Sequence, residues 1–298
     1  MLDRLNKPVV LALGYFDSVH RGHRAVIKSA TEYALKNKAE SVVYTFSGNF
    51  KASLGGENVK FVYTDKERAE IYKSLGCDRV VFVCANKKFL SMGRLAFLNM
   101  LNRKFNVIGY SCGKDYRFGK DGKGDVNYLL SYAKKRGQTV QALDILTSDS
   151  EKISTTLIKT LLSKGEVYKA GELLGRDYSV SGVVVSDRKI GSKLGFPTIN
   201  IKLDKEKQRL LDGVYAGYVE RDGVIYKAIV NYGARPTFGL DEKLVEAHLI
   251  GFSGNLYGED ITVYFKKFIR NVNKFKDTDE LIRQLNTDLE TVKEMIYD

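Results

Sequence analysis

The chain has 298 residues, 44% of them hydrophobic and only three of them proline, which excludes a disordered chain and leaves room for two packed domains. Its 48 Lys and Arg against 36 Asp and Glu give a net charge of +12, which suits a polyanionic partner: nucleic acid, a membrane surface or a phosphorylated small molecule. Cys77, Cys84 and Cys112 are odd in number and lack C-x-x-C spacing, which argues against a disulfide framework or zinc site and for buried free thiols.

In chain order, "VVLALGYF" (9–16) reads as a strand, residues 24–38 as a helix, "SVVYTF" (41–46) as a strand and "DKERAEIYKSLG" (65–76) as a helix. The first apolar run is too short to span a membrane and lacks a small-residue cleavage site, so the expected location is the cytoplasm. Thr64 with Glu67 predicts a capping box, and Gly76 a left-handed C-cap. Next come strand "RVVFVCA" (79–85), helix "SMGRLAFLNMLNRKF" (91–105) and strand "NVIGYSC" (106–112), then helix "GDVNYLLSYAKKRG" (124–137) and strand "TVQALDIL" (139–146). This alternation predicts a parallel sheet with helices on both faces. Leucines and alanines spaced by three and four predict a pair of short helices within 154–174.

After Gly175 the pattern changes. "YSVSGVVVS", "FPTINIKL", "GVYAGYVERDGVIYKAIVNYG", "KLVEAHLIGF" and "DITVYFKKFI" are strand-like, with "RDG" as a hairpin turn, and predict a closed antiparallel barrel. Leu281, Ile282, Leu285, Leu289, Val292 and Ile296 then predict an amphipathic C-terminal helix. The fold class is α/β plus β, with domains at 1–175 and 176–298.

"GYFDSVHRGH" (14–23) holds two of the three histidines, His20 and His23, in a glycine-bearing turn after the first strand. In a doubly wound sheet such a turn meets phosphate, and histidines at i and i+3 donate to one anion. A metal reading is weaker, because no further His or Cys lies nearby. The stretch resembles the "G-x-F-D-G-x-H-x-G-H" signature of nucleotidyltransferases, in particular the adenylyltransferase module of the bifunctional riboflavin kinase/FAD synthetase family. "GKDYRFG" (113–119) is similar to that family's "G-x-D-F-R-F-G", "ISTTLIK" (153–159) to its "I-S-S-T-x-I-R", and "LGFPTINI" (194–201) to the kinase module's "G-F-P-T-A-N". The resemblance spans the whole chain.

It implies a Rossmann-like module that transfers AMP from ATP to FMN, giving FAD and pyrophosphate, chemistry that needs positive charge on the leaving group more than a base. On the matching positions His20 and His23 steady the phosphates, with Gly14, Phe16, Asp17 and Gly22 in the same ATP-binding turn. Lys152, Ser154, Thr155 and Lys159 act from the other side, and Asp115, Tyr116 and Phe118 line the nucleotide or flavin pocket. The chain departs from the family at Ser18, where glycine is usual, and at "YTFSGNF" (44–50), where "T-F-x-P-H-P" is usual. Lys159 stands in place of arginine and lacks its bidentate fork.

In the barrel, Thr198 and Asn200 are two residues apart on one strand face and offer hard oxygen ligands that suit Mg²⁺. The resemblance makes "SGVVVSDRKIGSKLG" (181–195) the loop that wraps ATP, with Gly182, Gly191, Lys193 and Gly195. It makes Glu246 the general base for the riboflavin 5′-hydroxyl, places Asn231, Arg235 and Arg270 beside the flavin, and lays the C-terminal helix over the isoalloxazine ring. Val272 stands where the family tends to have glutamate.

Three readings follow. The favoured one is a two-step enzyme that uses ATP and Mg²⁺ to make FMN and then FAD, with small-molecule partners and neither nucleic acid nor membrane. The second is a riboflavin kinase whose transferase half has decayed. The third, from the +12 charge and interleaved tyrosines, is a flavin- or RNA-binding module without turnover.

Overall fold

Every residue from Val9 to Leu13 is almost wholly buried, which a strand achieves only when both of its faces are covered. In the computed structural model, which describes residues 7–48, 60–148, 151–185, 195–234 and 243–295, that strand is the centre of a parallel sheet. The chain divides into two compact units, Met1–Thr155 and Thr156–Asp298.

Among the described residues of the first unit, β1 (Pro8–Leu13), β2 (Glu40–Phe46), β3 (Arg79–Val83), β4 (Asn106–Gly113) and β5 (Thr139–Leu143) lie in the order β3-β2-β1-β4-β5. Alternate β1 side chains serve two cores. Val9, Leu11 and Leu13 pack with Phe97, Leu98 and Leu101 of α4 (Arg94–Lys104) and Leu129 of α5 (Val126–Lys134). Val10 and Ala12 pack with Val26, Ile27, Ala30 and Ala34 of α1 (Arg21–Lys36). Between them come α2 (Asp65–Ser74) and a single turn, α3 (Lys87–Leu90). Order reverses between β1 and β4, so their carboxyl ends open a crevice where such sheets bind ligands.

The boundaries of β1 and α1 differ from expectation. β1 ends at Leu13, and α1 begins at Arg21, three residues early, because the His20 imidazole supplies the cap: His23 N donates to His20 Nδ1 at 3.3 Å. Histidine is not among the preferred capping residues, so no start signal is legible there. The capping box of α2 is formed in both directions, Glu67 N to Thr64 Oγ1 at 3.2 Å and Thr64 N to Glu67 Oε2 at 2.8 Å. A two-stranded hairpin, β6 (Thr147–Ser148) and β7 (Glu151–Lys152), is too short to show as periodicity.

In the second unit, α6 (Thr155–Ser163) and α7 (Val167–Leu174) precede a closed barrel of β8 (Tyr178–Val185), β9 (Ile199–Lys202), β10 (Gly213–Arg221), β11 (Val224–Ala234), β12 (Lys243–Leu249) and β13 (Asp260–Arg270). Its neighbouring strands are all antiparallel. Phe265 packs against Tyr215, Tyr178 and Tyr232 at centroid distances of 5.4, 5.9 and 6.4 Å. Closure leaves no sheet edge to protect. α8 (Thr278–Glu294) sets Leu289 and Val292 against Val214, Ala216 and Ile229 of β10 and β11. Ile296, expected on the same face, lies outside the described residues.

Candidate functional sites

The crevice at the β1 and β4 ends is a cavity of about 260 Å³. One wall is the turn after β1. Phe16 O accepts from Tyr72 Oη at 2.9 Å, Asp17 Oδ1 from Val62 N at 2.8 Å, and Ser18 Oγ lies 2.9 Å from Thr155 Oγ1. This brings His20 and His23 into a parallel stack, centroids 3.6 Å apart, with the Phe16 ring edge-on to His23 at 5.3 Å. Because His20 Nδ1 accepts from His23 N, its ring proton belongs on Nε2. Gly14 and Gly22 also line the cavity, and a Cβ on Gly14 would come within 2.5 Å of the Phe16 ring.

The opposite wall carries Asp115, Tyr116, Lys152, Ser154 and Thr155, so most residues that the motifs single out meet in one place. Lys152 Nζ donates to Asp115 Oδ2 at 2.7 Å across the mouth. Burial pushes the Tyr116 phenol upward, so it stays a neutral hydroxyl. Two expected contact residues sit elsewhere. Asp17 is buried behind the turn and orders it, and Phe118 is in the β4 core, stacked behind Tyr116 at 5.6 Å and against Phe97 at 5.5 Å. Lys159 is half-buried on α6, one turn beyond Thr155.

Sequence reasoning missed Tyr15, a variable position of the signature. It lines the cavity, and its hydroxyl donates to Gly48 O at 3.3 Å. Gly48 N donates to Asp65 Oδ1 and Oδ2 at 3.1 and 3.2 Å, and Asp65 is paired with the buried Arg68. Arg68 in turn donates to Phe46 O at 2.9 Å. The first residue that departs from "T-F-x-P-H-P", Gly48, is therefore seated on specific partners; Asn49 and Phe50 lie outside the described residues.

On the barrel, register aligns Asn200, Glu246, Asn231, Val214 and Arg270 in one row crossing β9, β12, β11, β10 and β13. Residues paired across strands share a face, and here it is the outer one, since Val245 and Ala247 on either side of Glu246 are fully buried. Thr198 was expected on the same strand face as Asn200, but it lies just before β9 and lines a cavity with Ile199, Ala247 and Leu249 that Asn200 does not line. His248 Nδ1–H donates to Pro197 O, 2.8 Å away, bracing the entry to β9. Arg270 is engaged with Asp288 of α8 through Nε at 3.0 Å and Nη2 at 2.7 Å, so here it fastens the helix to the barrel. Gly182 lies within β8, where a Cβ would come within 2.6 Å of Ile201, so close strand packing accounts for the glycine. Gly195 has φ +84°, a turn conformation suited to glycine. Gly191, Lys193 and Arg235 lie outside the described residues.

The cavity that Thr198 lines is about 480 Å³ and includes Leu249, Phe252, Gly254, Asn255 and Tyr257. The segment after β12 was not singled out from the sequence, although "GFSGNLYG" (251–258) is a dense run of turn residues between two strands.

A histidine-bearing turn at the switch point of a parallel sheet and a polar row on a closed barrel belong to a two-domain, nucleotide-dependent transferase. Residues 2–157 match the family model for FAD synthetase, and residues 174–296 match that for riboflavin kinase. The chain belongs to the bifunctional riboflavin kinase/FMN adenylyltransferase family. Relatives of that name include one from Listeria monocytogenes, 33% identical over 94% of this chain and 90% of its own, and one from Bacillus subtilis, 32% identical over the same shares. A third, from Escherichia coli K12, is 30% identical over 96% and 92%. A solved structure from Streptococcus pneumoniae, described as a macrolide-efflux protein, superposes with a TM-score of 0.87 at 29% identity, covering 98% of this chain and 95% of that one. Among the described residues here, no helix is long and apolar enough to cross a membrane.

Proposed function

We infer that the chain makes FMN and then FAD with two molecules of ATP, and that the two reactions use the separate sites described above. The observation that carries the division of labour is the convergence of His20, His23, Lys152, Ser154 and Thr155 on one cleft. Glu246 lies in the other unit, beside Asn200.

In the barrel, the Glu246 carboxylate takes the proton of the riboflavin 5′-hydroxyl as that oxygen attacks the γ-phosphorus of ATP and ADP leaves. Thr198, just before β9, and Asn200 within it would hold Mg²⁺. The donor chemistry fits: both offer neutral oxygen ligands, leaving the rest of the shell to phosphate and water. The ion, when bound, would neutralise charge on the β- and γ-phosphates. The cavity lined by Phe252, Gly254, Asn255 and Tyr257 would take the nucleotide, its apolar walls suiting the base.

In the cleft, a phosphate oxygen of FMN attacks the α-phosphorus of ATP, and the bond to pyrophosphate breaks. His20 Nε2–H, the His23 ring and the Lys152 ammonium donate to the phosphate oxygens as charge builds on the leaving group. Asp115 holds Lys152 until the nucleotide arrives, and Tyr116 offers a flat neutral face to flavin or adenine. The partners are small molecules, with no nucleic acid or membrane among them. A cytoplasmic location is supported by the three unpaired thiols, which suit a reducing compartment.

The test is a chromatographic assay with ATP and Mg²⁺, started once from riboflavin and once from FMN. FAD in both reactions supports the two-step reading, and FMN accumulating with no FAD in either leaves only the kinase.

A further inference from the structure

Ser18 is fully buried in the turn between β1 and α1, and its hydroxyl meets that of Thr155, 137 residues away, at 2.9 Å. The two belong to opposite walls of the cleft. Ser18 backs the turn that carries His20 and His23, whereas Thr155 lines the cavity and is the first residue of α6. We propose that Ser18 is a positioning residue for adenylyl transfer: its hydroxyl rivets Thr155 to the histidine turn so that both walls meet the same triphosphate. The proposal rests on the adenylyltransferase reading of this cleft.

The turn needs such fixing. Val19, a buried β-branched residue, has φ +45°, a strained conformation that persists only where surrounding contacts over-determine it. The bonds to Phe16 O and Asp17 Oδ1 fix the turn from the side of α2 and the residues before it. The Ser18 bond fixes it to the wall across the cleft. A glycine at this position, as in the signature the stretch resembles, has no atom with which to do so.

Either hydroxyl can donate in this bridge, and adenylyl transfer uses the arrangement in which Ser18 does. A hydroxyl has one proton and two acceptor sites, and a phosphate oxygen next to the cleft wall is an acceptor. With Ser18 donating to Thr155 Oγ1, the Thr155 proton is turned outward to the phosphate, and the two bonds in series polarise one another. Ser18 thus acts on the nucleotide without touching it.

The test compares Ser18→Ala, which removes only the hydroxyl, with Thr155→Val and the double variant, in FAD formation from FMN with ATP varied. Losing the bridge should raise KM for ATP roughly fivefold to tenfold, with kcat within about twofold of the unmodified enzyme. Riboflavin phosphorylation should be unchanged in Ser18→Ala, with the melting temperature lowered by only a few degrees. The double variant should be no worse than the poorer single one, since both remove the same link. Should Ser18→Ala not fold, Ser18→Gly serves, because glycine is the residue the resembled signature carries in this turn. A Ser18 variant with an unaltered KM for ATP overturns the proposal, as does an additive double variant. An unmodified enzyme that forms no FAD overturns the adenylyltransferase reading and this role with it, an outcome distinct from an active enzyme indifferent to Ser18.

Discussion

Glu246 stands directly across from Asn200 in the β12–β9 register, and Asn231 stands across from Glu246 on its other side. Three polar side chains from strands far apart in sequence thereby form one row on the outside of the barrel. A slip of one residue in β12 would turn Glu246 inward among Val245, Ala247 and their buried neighbours, so the packing that sets the register also sets the site.

Glu246→Gln keeps the shape of the side chain and removes its basicity. FMN formation should fall by about two orders of magnitude or more, while FAD formation from supplied FMN continues. His23→Ala should do the reverse, lowering FAD formation roughly a hundredfold with phosphorylation kept. Product chromatography from riboflavin and from FMN reads both. Loss of both activities in a folded Glu246→Gln variant would contradict the separate sites.

Restoring the family's proline at position 48 should harm this protein. Gly48 has φ +51°, which proline cannot adopt, and its N–H is donated to Asp65, a bond proline cannot make. Gly48→Pro should cost about 1–3 kcal/mol in chemical denaturation and weaken FMN use in FAD formation. A variant as stable and active as the parent would show that the Tyr15–Gly48–Asp65 clamp is dispensable.

The parallel sheet with its flanking helices followed from the alternation of short apolar runs with longer amphipathic stretches, whereas the strand order did not. The cleft followed from the two histidines and the "IST" segment, whose chemistry survives any change of register. What stayed hidden depends on contacts distant in sequence. Tyr15 occupies a variable position and acquires its role only when Gly48 is brought beside it. Arg270 was expected against the flavin, but pairing with Asp288 requires knowing how α8 lies on the barrel. Phe118 and Tyr116 are two apart and look equivalent, yet one is core and the other wall. The three cysteines read as uniformly buried, whereas Cys84 is exposed just past the end of β3.

The Arg270–Asp288 pair is itself testable. Asp288 is almost fully buried and Arg270 mostly so, and Gln284 also donates to Asp288 at 2.9 Å. Asp288→Ala strands a buried guanidinium and should destabilise the second unit by about 3–5 kcal/mol. Denaturation followed alongside both activities should show phosphorylation lost at lower urea than in the parent. An unchanged midpoint would mean that α8 is held by its apolar face and by Lys227, which donates to Lys293 O and Met295 O at 2.6 Å each.

Thiol chemistry separates the three cysteines. Cys112 is fully buried in β4, where burial pushes its thiol up to about 12, with the nearby Asp115 charge adding to the effect. Burial likewise raises Cys77, against smaller opposing effects from backbone hydrogen bonds. A thiol raised in this way is neutral at pH 8 and is a poor nucleophile, and burial denies it access to reagent as well. Cys84 is exposed and lacks that protection. Iodoacetamide at pH 8 should therefore place one adduct on the native chain, at Cys84, and adducts on all three cysteines after denaturation. Peptide mass spectrometry locates them. Rapid native labelling of Cys112 would show that the β4 core beneath Asp115 opens to solvent, and the cleft wall built on it would then not be rigid enough to hold Lys152 and Tyr116 in place.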